Sequence, residues 1–288
     1  MTKLNNFKIL ETFTNDGKKF QIIQANSIKK IIKLFNKKKD GFKFSNELNG
    51  YKFYSKNKYF KIPKLYNYSY KEKKLVLEYI NGKKVYPHHF KKIIKKINRN
   101  KVSKTNITKY LNKLKKNYLF SNYSNIYFKK IKKLFPENDE ILISYTHGDF
   151  SNYNCLKDNK YFYVFDFEKF GKRIVLFDNL NWYLLYIYFN IAKLYNKKIS
   201  NYFNQILFFT VNKLINILIK NVNKEHIKYY KINSKSFNTY LLLYYFEKIL
   251  ILEIDYKNIF NQKNKKIAKN LIYILKKNLE IIINEYKK

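Results

Sequence analysis

Tyr145-Thr146-His147-Gly148-Asp149-Phe150-Ser151-Asn152-Tyr153-Asn154, followed by Val164-Phe165-Asp166-Phe167-Glu168, is the stretch from which the rest of the chain can be ordered. It sets an Asp, an Asn five residues later and a second Asp seventeen residues after the first around two short apolar segments. Phosphoryl transfer from a nucleoside triphosphate to a hydroxyl makes few chemical demands. A base must orient the hydroxyl and accept its proton, metal ions must bridge the phosphates, a cation must hold them, and the geometry must be in line. Mg2+ prefers hard oxygen ligands and usually takes only one or two from the protein. Asp149 suits the base, and Asn154 and Asp166 suit the metal.

With 288 residues, 46% of them hydrophobic, the chain is long enough for one large domain or two intimate lobes. The formal charge of +40 is of a size that suggests a nucleic acid or an anionic membrane surface as partner. The composition argues otherwise. Nearly all the positive charge is Lys, the arginines being Arg99 and Arg173, and alanine occurs only at Ala25, Ala192 and Ala268. Lys, Asn, Ile, Tyr and Phe, which have AT-rich codons, are all inflated together, as strong base bias in a genome would produce. A dedicated nucleic-acid surface favours Arg for bidentate contacts, so no specific nucleic acid is expected. The excess charge favours an anionic substrate.

The single cysteine, Cys155, excludes an intrachain disulfide or a cysteine-rich metal site, and is expected to be a small apolar residue beneath the catalytic loop. The N-terminal stretch from Met1 to Lys8 has no apolar signal core. No uncharged apolar run approaches the ~20 residues of a membrane span. Tyr240 to Ile254 comes nearest and is interrupted by Glu247, Lys248 and Glu253. A cytoplasmic protein without a transmembrane segment is expected.

Outward from the motif, the first third reads as strands around one helix. Phe7 to Phe13, Phe20 to Gln24 and Ile28 to Phe35 are strand-like, with Asn15-Asp16-Gly17 as a tight-hairpin signal between the first two. Phe44 to Tyr54 predicts a helix carrying Glu47. Leu65 to Tyr68 and Leu75 to Ile80 predict two more strands, the second ending at Asn81-Gly82. From about Pro87 the period changes: Ile107, Tyr110, Leu111, Leu114 and Tyr118 form a helical stripe, and Ser124 to Leu134 a second helix. Beyond Asp178 the chain reads as helical to its end, the clearest stripe being Ala268, Leu271, Ile272, Leu275, Leu279, Ile282 and Tyr286. Asn261 to Lys266 reads as a solvated loop, and Glu247, Glu253 and Asp255 as the solvent face of an apolar helix. The alternative for these three is an acceptor-binding role.

His147-Gly148-Asp149 with Asn154, then Asp166-Phe167-Glu168, resembles the aminoglycoside phosphotransferase and choline kinase group of small-molecule kinases. The resemblance covers Tyr145 to Leu180 most closely. It implies an α+β, bilobal protein-kinase-like fold: a small antiparallel β-sheet N-lobe with one helix, residues 1–82, and a larger, mainly helical C-lobe, residues 83–288. It implies Asp149 as catalytic base, Asn154 and Asp166 as Mg2+ ligands, His147 as support for the loop and Asp178 as a structural buttress. Ile31-Ile32-Lys33-Leu34-Phe35 resembles the strand whose Lys grips the α- and β-phosphates of ATP, with Glu47 as its ion-pair partner; Lys29 and Lys30 compete with Lys33 for that role. Leu75-Val76-Leu77-Glu78-Tyr79-Ile80-Asn81-Gly82 resembles the interlobe hinge, where the backbone near Glu78 and Ile80 would meet adenine. One departure is plain: the Asn15-Asp16-Gly17 turn is not a glycine-rich loop.

The implied function is ATP- and Mg2+-dependent transfer of a γ-phosphoryl group to a small-molecule hydroxyl acceptor. Phe150-Ser151-Asn152-Tyr153 and Glu168 are similar to a subgroup tied to bacterial surface glycans, whose members typically carry Pro-Trp where this chain has Asn152-Tyr153. A sugar or glycan intermediate is the first choice of acceptor. A choline or ethanolamine kinase, and a nucleotide-binding scaffold without turnover, are the alternatives.

Overall fold

The computed structural model describes residues 8–15, 18–25, 27–37, 40–57, 60–85, 102–194, 228–232, 234–258 and 262–286. The turn residues Asp16 and Gly17, and Asn261, lie outside them. The chain divides into two compact units, one holding Met1–Arg99 with Tyr145–Gly171, the other Asn100–Ser144 with Lys172–Lys288. Neither unit begins at Gly82. The motif segment folds with the N-terminal part because its backbone is stitched there: Lys61 N–H donates to Phe162 O and Val164 N–H to Lys61 O, both at 2.9 Å.

In the first unit β1 (Lys8–Asn15), β2 (Lys18–Ala25), β3 (Ile28–Leu34), β4 (Leu65–Ser69) and β5 (Lys74–Glu78) form an antiparallel sheet in the order β1-β2-β3-β5-β4. Asn15 stands opposite Lys18, the register that a two-residue hairpin connection requires. Phe13 and Phe20, directly opposite on β1 and β2, stack with centroids 5.1 Å apart, a cross-strand pair that supports the register. Ile23, Ile32 and Val76 form a buried cluster on the central strands.

α1 (Gly41–Tyr54) buries Phe44, Leu48, Tyr51 and Tyr54 at helical spacing, and Glu47 lies within that apolar face. A second, small sheet joins β6 (Lys83–Lys84), β9 (Cys155–Lys157) and β10 (Phe162–Val164) in the order β10-β9-β6. Gly82 enters it closely: a Cβ there would lie 3.1 Å from the Leu156 Cβ and from the Lys157 carbonyl oxygen.

The second unit pairs β7 (Ser103–Asn106) with β8 (Glu140–Thr146), flanked by β11 (Gly171–Ile174). Its helices are α2 (Ile107–Asn117), α3 (Asn122–Leu134), α4 (Phe177–Leu194), α5 (Ser234–Asn258) and α6 (Gln262–Glu285). α2 and α3 start where side chains satisfy orphan N–H groups: Asn106 accepts from Lys109 N–H and Ser121 from Ser124 N–H. Asp178 sits fully buried in the first turn of α4, where a carboxylate favours the positive end of the helix dipole. α5 is buried all round from Tyr240 to Ile251 and forms the centre of the core with Leu111, Ile131, Leu176 and Leu275. No helix among the described residues is long and apolar enough to cross a membrane.

Two expectations for this unit are overturned. Gln262 to Lys266 is the start of α6 rather than a loop, because Lys is a good helix former and its charge needs only a solvated face. Glu247 is not on a solvent face: it is 2% exposed, and its carboxylate takes Arg173 Nε at 2.9 Å and the hydroxyls of Tyr110 and, at 3.3 Å, Tyr118. Glu253 likewise accepts from Ser124 at 2.9 Å and pairs with Lys276 at 3.0 Å. Both carboxylates bind helices to one another.

Candidate active site

The motif loop follows β8 directly, and its shape depends on two residues. Gly148 has φ 82°, a left-handed conformation that glycine adopts without steric cost. His147, fully buried, bridges two loop segments of the site. Its Nδ1 accepts from Asp149 N–H at 3.3 Å, so Nε2 carries the proton and donates to Phe165 O at 2.8 Å. The histidine therefore ties the Asp149 backbone to the residue before Asp166, which is the support expected of it.

Asn154 closes a single 3-10 turn, Asn152–Asn154, and its Nδ2 donates to Asp149 O at 2.8 Å. With the amide nitrogen engaged, its oxygen is the atom that could serve as a ligand. Phe165 N–H donates to Asn154 O at 3.1 Å, so the segments bearing Asn154 and Asp166 are joined by main chain. Asp166 has φ 68°, a strained setting of the kind that clusters at ligand sites, and Asp tolerates it better than most residues. The Asp149 side chain is about one-third exposed (34%), with Lys169 Nζ 3.7 Å from its Oδ2.

Of the three β3 lysines, Lys33 is the buried one. It is 4% exposed, whereas Lys29 is exposed and Lys30 half-buried, their ammoniums over the rings of Tyr79 and Tyr66. The Lys33 ammonium meets Glu47 Oε2 at 2.6 Å, Asp166 Oδ1 at 2.6 Å and Glu168 Oε1 at 2.7 Å. Burial opposes its charge, but Asp166, Glu47 and Glu168 outweigh burial and hold its pKa well above the usual lysine value. Asp166 goes the other way: burial would raise its pKa, yet Lys33 and Lys18 hold it below the ordinary carboxylate range. Burial pushes Glu47 up to about 8, Lys33 pulls against that, and Asp166 and Glu168 add to it. Two ammoniums are shared among three carboxylates, of which Glu47 is the least exposed at 1%.

The ligand oxygens of Glu47, Asp166 and Glu168 lie within 4.8 Å of one another. Grouped carboxylate oxygens are hard ligands of the kind Mg2+ takes.

Glu78 ends β5, its carboxylate accepting from Lys64 N–H at 3.0 Å and its own N–H donating to Lys64 O at 2.9 Å; Ile80 follows, half-buried. These two lie on the chain leading to Gly82 rather than in the charged cluster. Cys155 is buried, and burial raises its thiol pKa strongly, as fits an inert packing residue.

Three participants escaped sequence reasoning: Lys18, which donates to Glu168, Lys169, and Gly50, whose missing side chain makes room for Phe167. In so lysine-rich a chain neither lysine carries a local signal. Gly50 in mid-helix was the one available hint, since glycine there needs a packing reason.

No family model matches the chain, and no curated protein sequence matches it. Solved structures do. A candidate aminoglycoside phosphotransferase from Ralstonia eutropha superposes with a TM-score of 0.58 at 12% identity, covering 97% of this chain and 93% of that one. The aminoglycoside phosphotransferase APH(4)-Ia gives 0.55 at 10% identity over 98% and 95%. An ethanolamine kinase from Plasmodium vivax gives 0.52 at 14% identity over 94% and 81%. The fold is thus α+β and protein-kinase-like. More narrowly, it is the variant shared by aminoglycoside phosphotransferases and choline and ethanolamine kinases.

Proposed function

We propose that this chain is an ATP- and Mg2+-dependent kinase that phosphorylates a hydroxyl of a small molecule in the cytoplasm, with a sugar or glycan intermediate as acceptor. The observation that carries the reading is Lys33, buried and held at 2.6 Å by both Glu47 and Asp166, beside a loop that joins Asp149 to Asn154. A buried ammonium fixed by a helix carboxylate and by a candidate metal ligand is what polyphosphate binding needs. Among the structures that share the fold, an APH(4)-Ia mutant is a ternary complex with ADP and hygromycin B.

Residues 1–82 supply the nucleotide side. The backbone at Glu78 and Ile80 meets the adenine edge, and Lys33 grips the α- and β-phosphates while Glu47 fixes its position. Residues 83–288 supply the catalytic loop and the acceptor side. Asn154 and Asp166 would hold Mg2+, which when bound neutralises phosphate charge. Asp149 orients the acceptor hydroxyl and takes its proton as the oxygen attacks the γ-phosphorus and ADP leaves. Lys169 lies beside the Asp149 carboxylate and keeps it oriented.

The test is thermal melting with and without Mg·ATP, beside Asp166→Asn. A ligand that binds only the native state stabilises by about 2.7 kcal/mol at a hundredfold excess over Kd. A Mg2+-dependent rise in Tm that is lost in the variant is expected. Turnover with sugars, choline and ethanolamine then assigns the acceptor. No rise at millimolar Mg·ATP would overturn the reading.

A further inference from the structure

Lysines at hairpin ends normally extend their ammonium into water, because burying the charge costs more than the stem gains. Lys18, the first residue of β2 after the β1–β2 connection, does the opposite. It is 6% exposed and donates to Glu168 Oε1. Among the described residues only Lys18, Lys33 and Lys248 are buried lysines. The first two converge on one atom: Lys33 Nζ lies 2.7 Å from the same Glu168 Oε1. The charge on Lys18 is also felt at Asp166, whose carboxyl it helps to hold ionised. Lys18 thus extends from the hairpin into the cluster that would face the phosphates of a nucleotide.

The hairpin itself creates a need for such a group. In kinases of this general fold a glycine-rich loop covers the phosphates, and glycines let the chain approach them closely. Here the connection between β1 and β2 is Asp16-Gly17, with a single glycine and an acidic residue. A side-chain ammonium one residue further on can deliver the positive charge that such a connection lacks. It carries three donors on a flexible stem, so it can move from a carboxylate to a phosphate oxygen without movement of the strand.

We propose that Lys18 is a second phosphate-binding cation. In the nucleotide-free protein it rests on Glu168. With a nucleoside triphosphate bound it grips the terminal phosphates from the hairpin side, while Lys33 holds the inner ones from β3. The proposal rests on the kinase reading above, and its test separates the two.

Binding of Mg·ATP and of AMP is measured by calorimetry for wild type, Lys18→Gln, Lys33→Gln and the control Lys19→Gln, an exposed neighbour. Loss of one charge-assisted contact weakens binding by about tenfold to a hundredfold. Lys18→Gln should lose that much for ATP and nothing for AMP, and Lys18→Arg should recover part of it. Lys19→Gln should bind as wild type. Equal ATP affinity of Lys18→Gln and wild type, with Lys33→Gln impaired, would overturn the role of Lys18 and leave the kinase reading standing. Absence of nucleotide binding by wild type would remove both.

Should Lys18→Gln fail to fold, the wild type decides. An acyl-phosphate derivative of ATP transfers its acyl group to an amine beside the phosphates and releases ATP. Mass spectrometry should find Lys18 acylated alongside Lys33, and free ATP should protect both. Acylation at Lys33 alone would overturn the proposal.

Discussion

Gly50 on α1 stands so close to Phe167 that a Cβ on the glycine would lie 2.4 Å from the Phe167 Cβ. The contact brings the helix that carries Glu47 against the residue between Asp166 and Glu168. Tyr51 and Tyr54 complete the nest, each with its ring centroid 5.1 Å from that of Phe167. The spacing of the charged cluster around Lys33 is therefore set by an apolar contact beneath it.

Gly50→Ala tests this. Helix propensity alone would make alanine better by about 1 kcal/mol. The overlap with the first atom of the Phe167 side chain cannot be relieved by a rotamer change, so α1 must shift. We expect lower thermal stability and at least tenfold weaker Mg·ATP binding, measured by melting and calorimetry. A variant more stable than wild type with intact binding would show that the helix position is not critical.

Glu47 should make stability depend on pH in the metal- and nucleotide-free protein. Its native pKa is raised from 4.5 to about 8, so the folded state holds the proton more tightly than the unfolded chain. Its contribution is complete below the unfolded value and fades as pH rises through the folded one. Tm should fall between about pH 5 and about pH 8. Glu47→Gln should flatten that slope; an identical slope in the variant would assign it to other groups.

Asp149→Asn should lower kcat by about two to four orders of magnitude while leaving Mg·ATP affinity nearly unchanged, as removal of a general base does. The backbone N–H that bonds to His147 is retained, so the loop should keep its shape. Rapid-quench measurement of product formation with the acceptor in hand would decide. Turnover equal to wild type would remove Asp149 from the base role.

Arg173 and Glu247 form a buried pair at 2.9 Å in the second unit, with Arg173 also 5.0 Å from the Phe177 ring centre. Removing one partner strands the other charge, a loss of about 3–5 kcal/mol. Arg173→Met should therefore be strongly destabilising in urea titrations. The double variant Arg173→Met, Glu247→Leu should recover much of the loss. A double variant as unstable as the single would mean that Arg173 acts through packing on Phe177.

The parts of this protein legible in the sequence are those where chemistry repeats locally. His147-Gly148-Asp149, Asn154 and Asp166 declare themselves by spacing, and β2, β3 and β5 by their β-branched and aromatic composition. Glu47 is marked by the resemblance, on the helix that follows the strand of Lys33. What stayed hidden depends on long-range pairing. Lys18 meets Glu168 and Gly50 meets Phe167 across more than a hundred residues of chain, and no local pattern marks either. Glu247 was misplaced on a solvent face because its partners, Arg173, Tyr110 and Tyr118, come from two other elements. The strands β6, β7 and β11, of two to four residues, are too short and polar for alternation to show.

The ammonium of Lys33 touches carboxylates from α1 and from the segment after β10, so its counter-charges arrive at different times during synthesis. When Glu47 has left the ribosome, Asp166 and Glu168 have yet to be translated, along with the whole of α2 and α3. A nascent or truncated chain lacking the segment to Glu168 has a lysine without its full set of anions and a Gly50 without its ring. Nucleotide capture would then report that the two sequence segments of the first unit have met, and ATP would act as a late fastener on a nearly finished polypeptide.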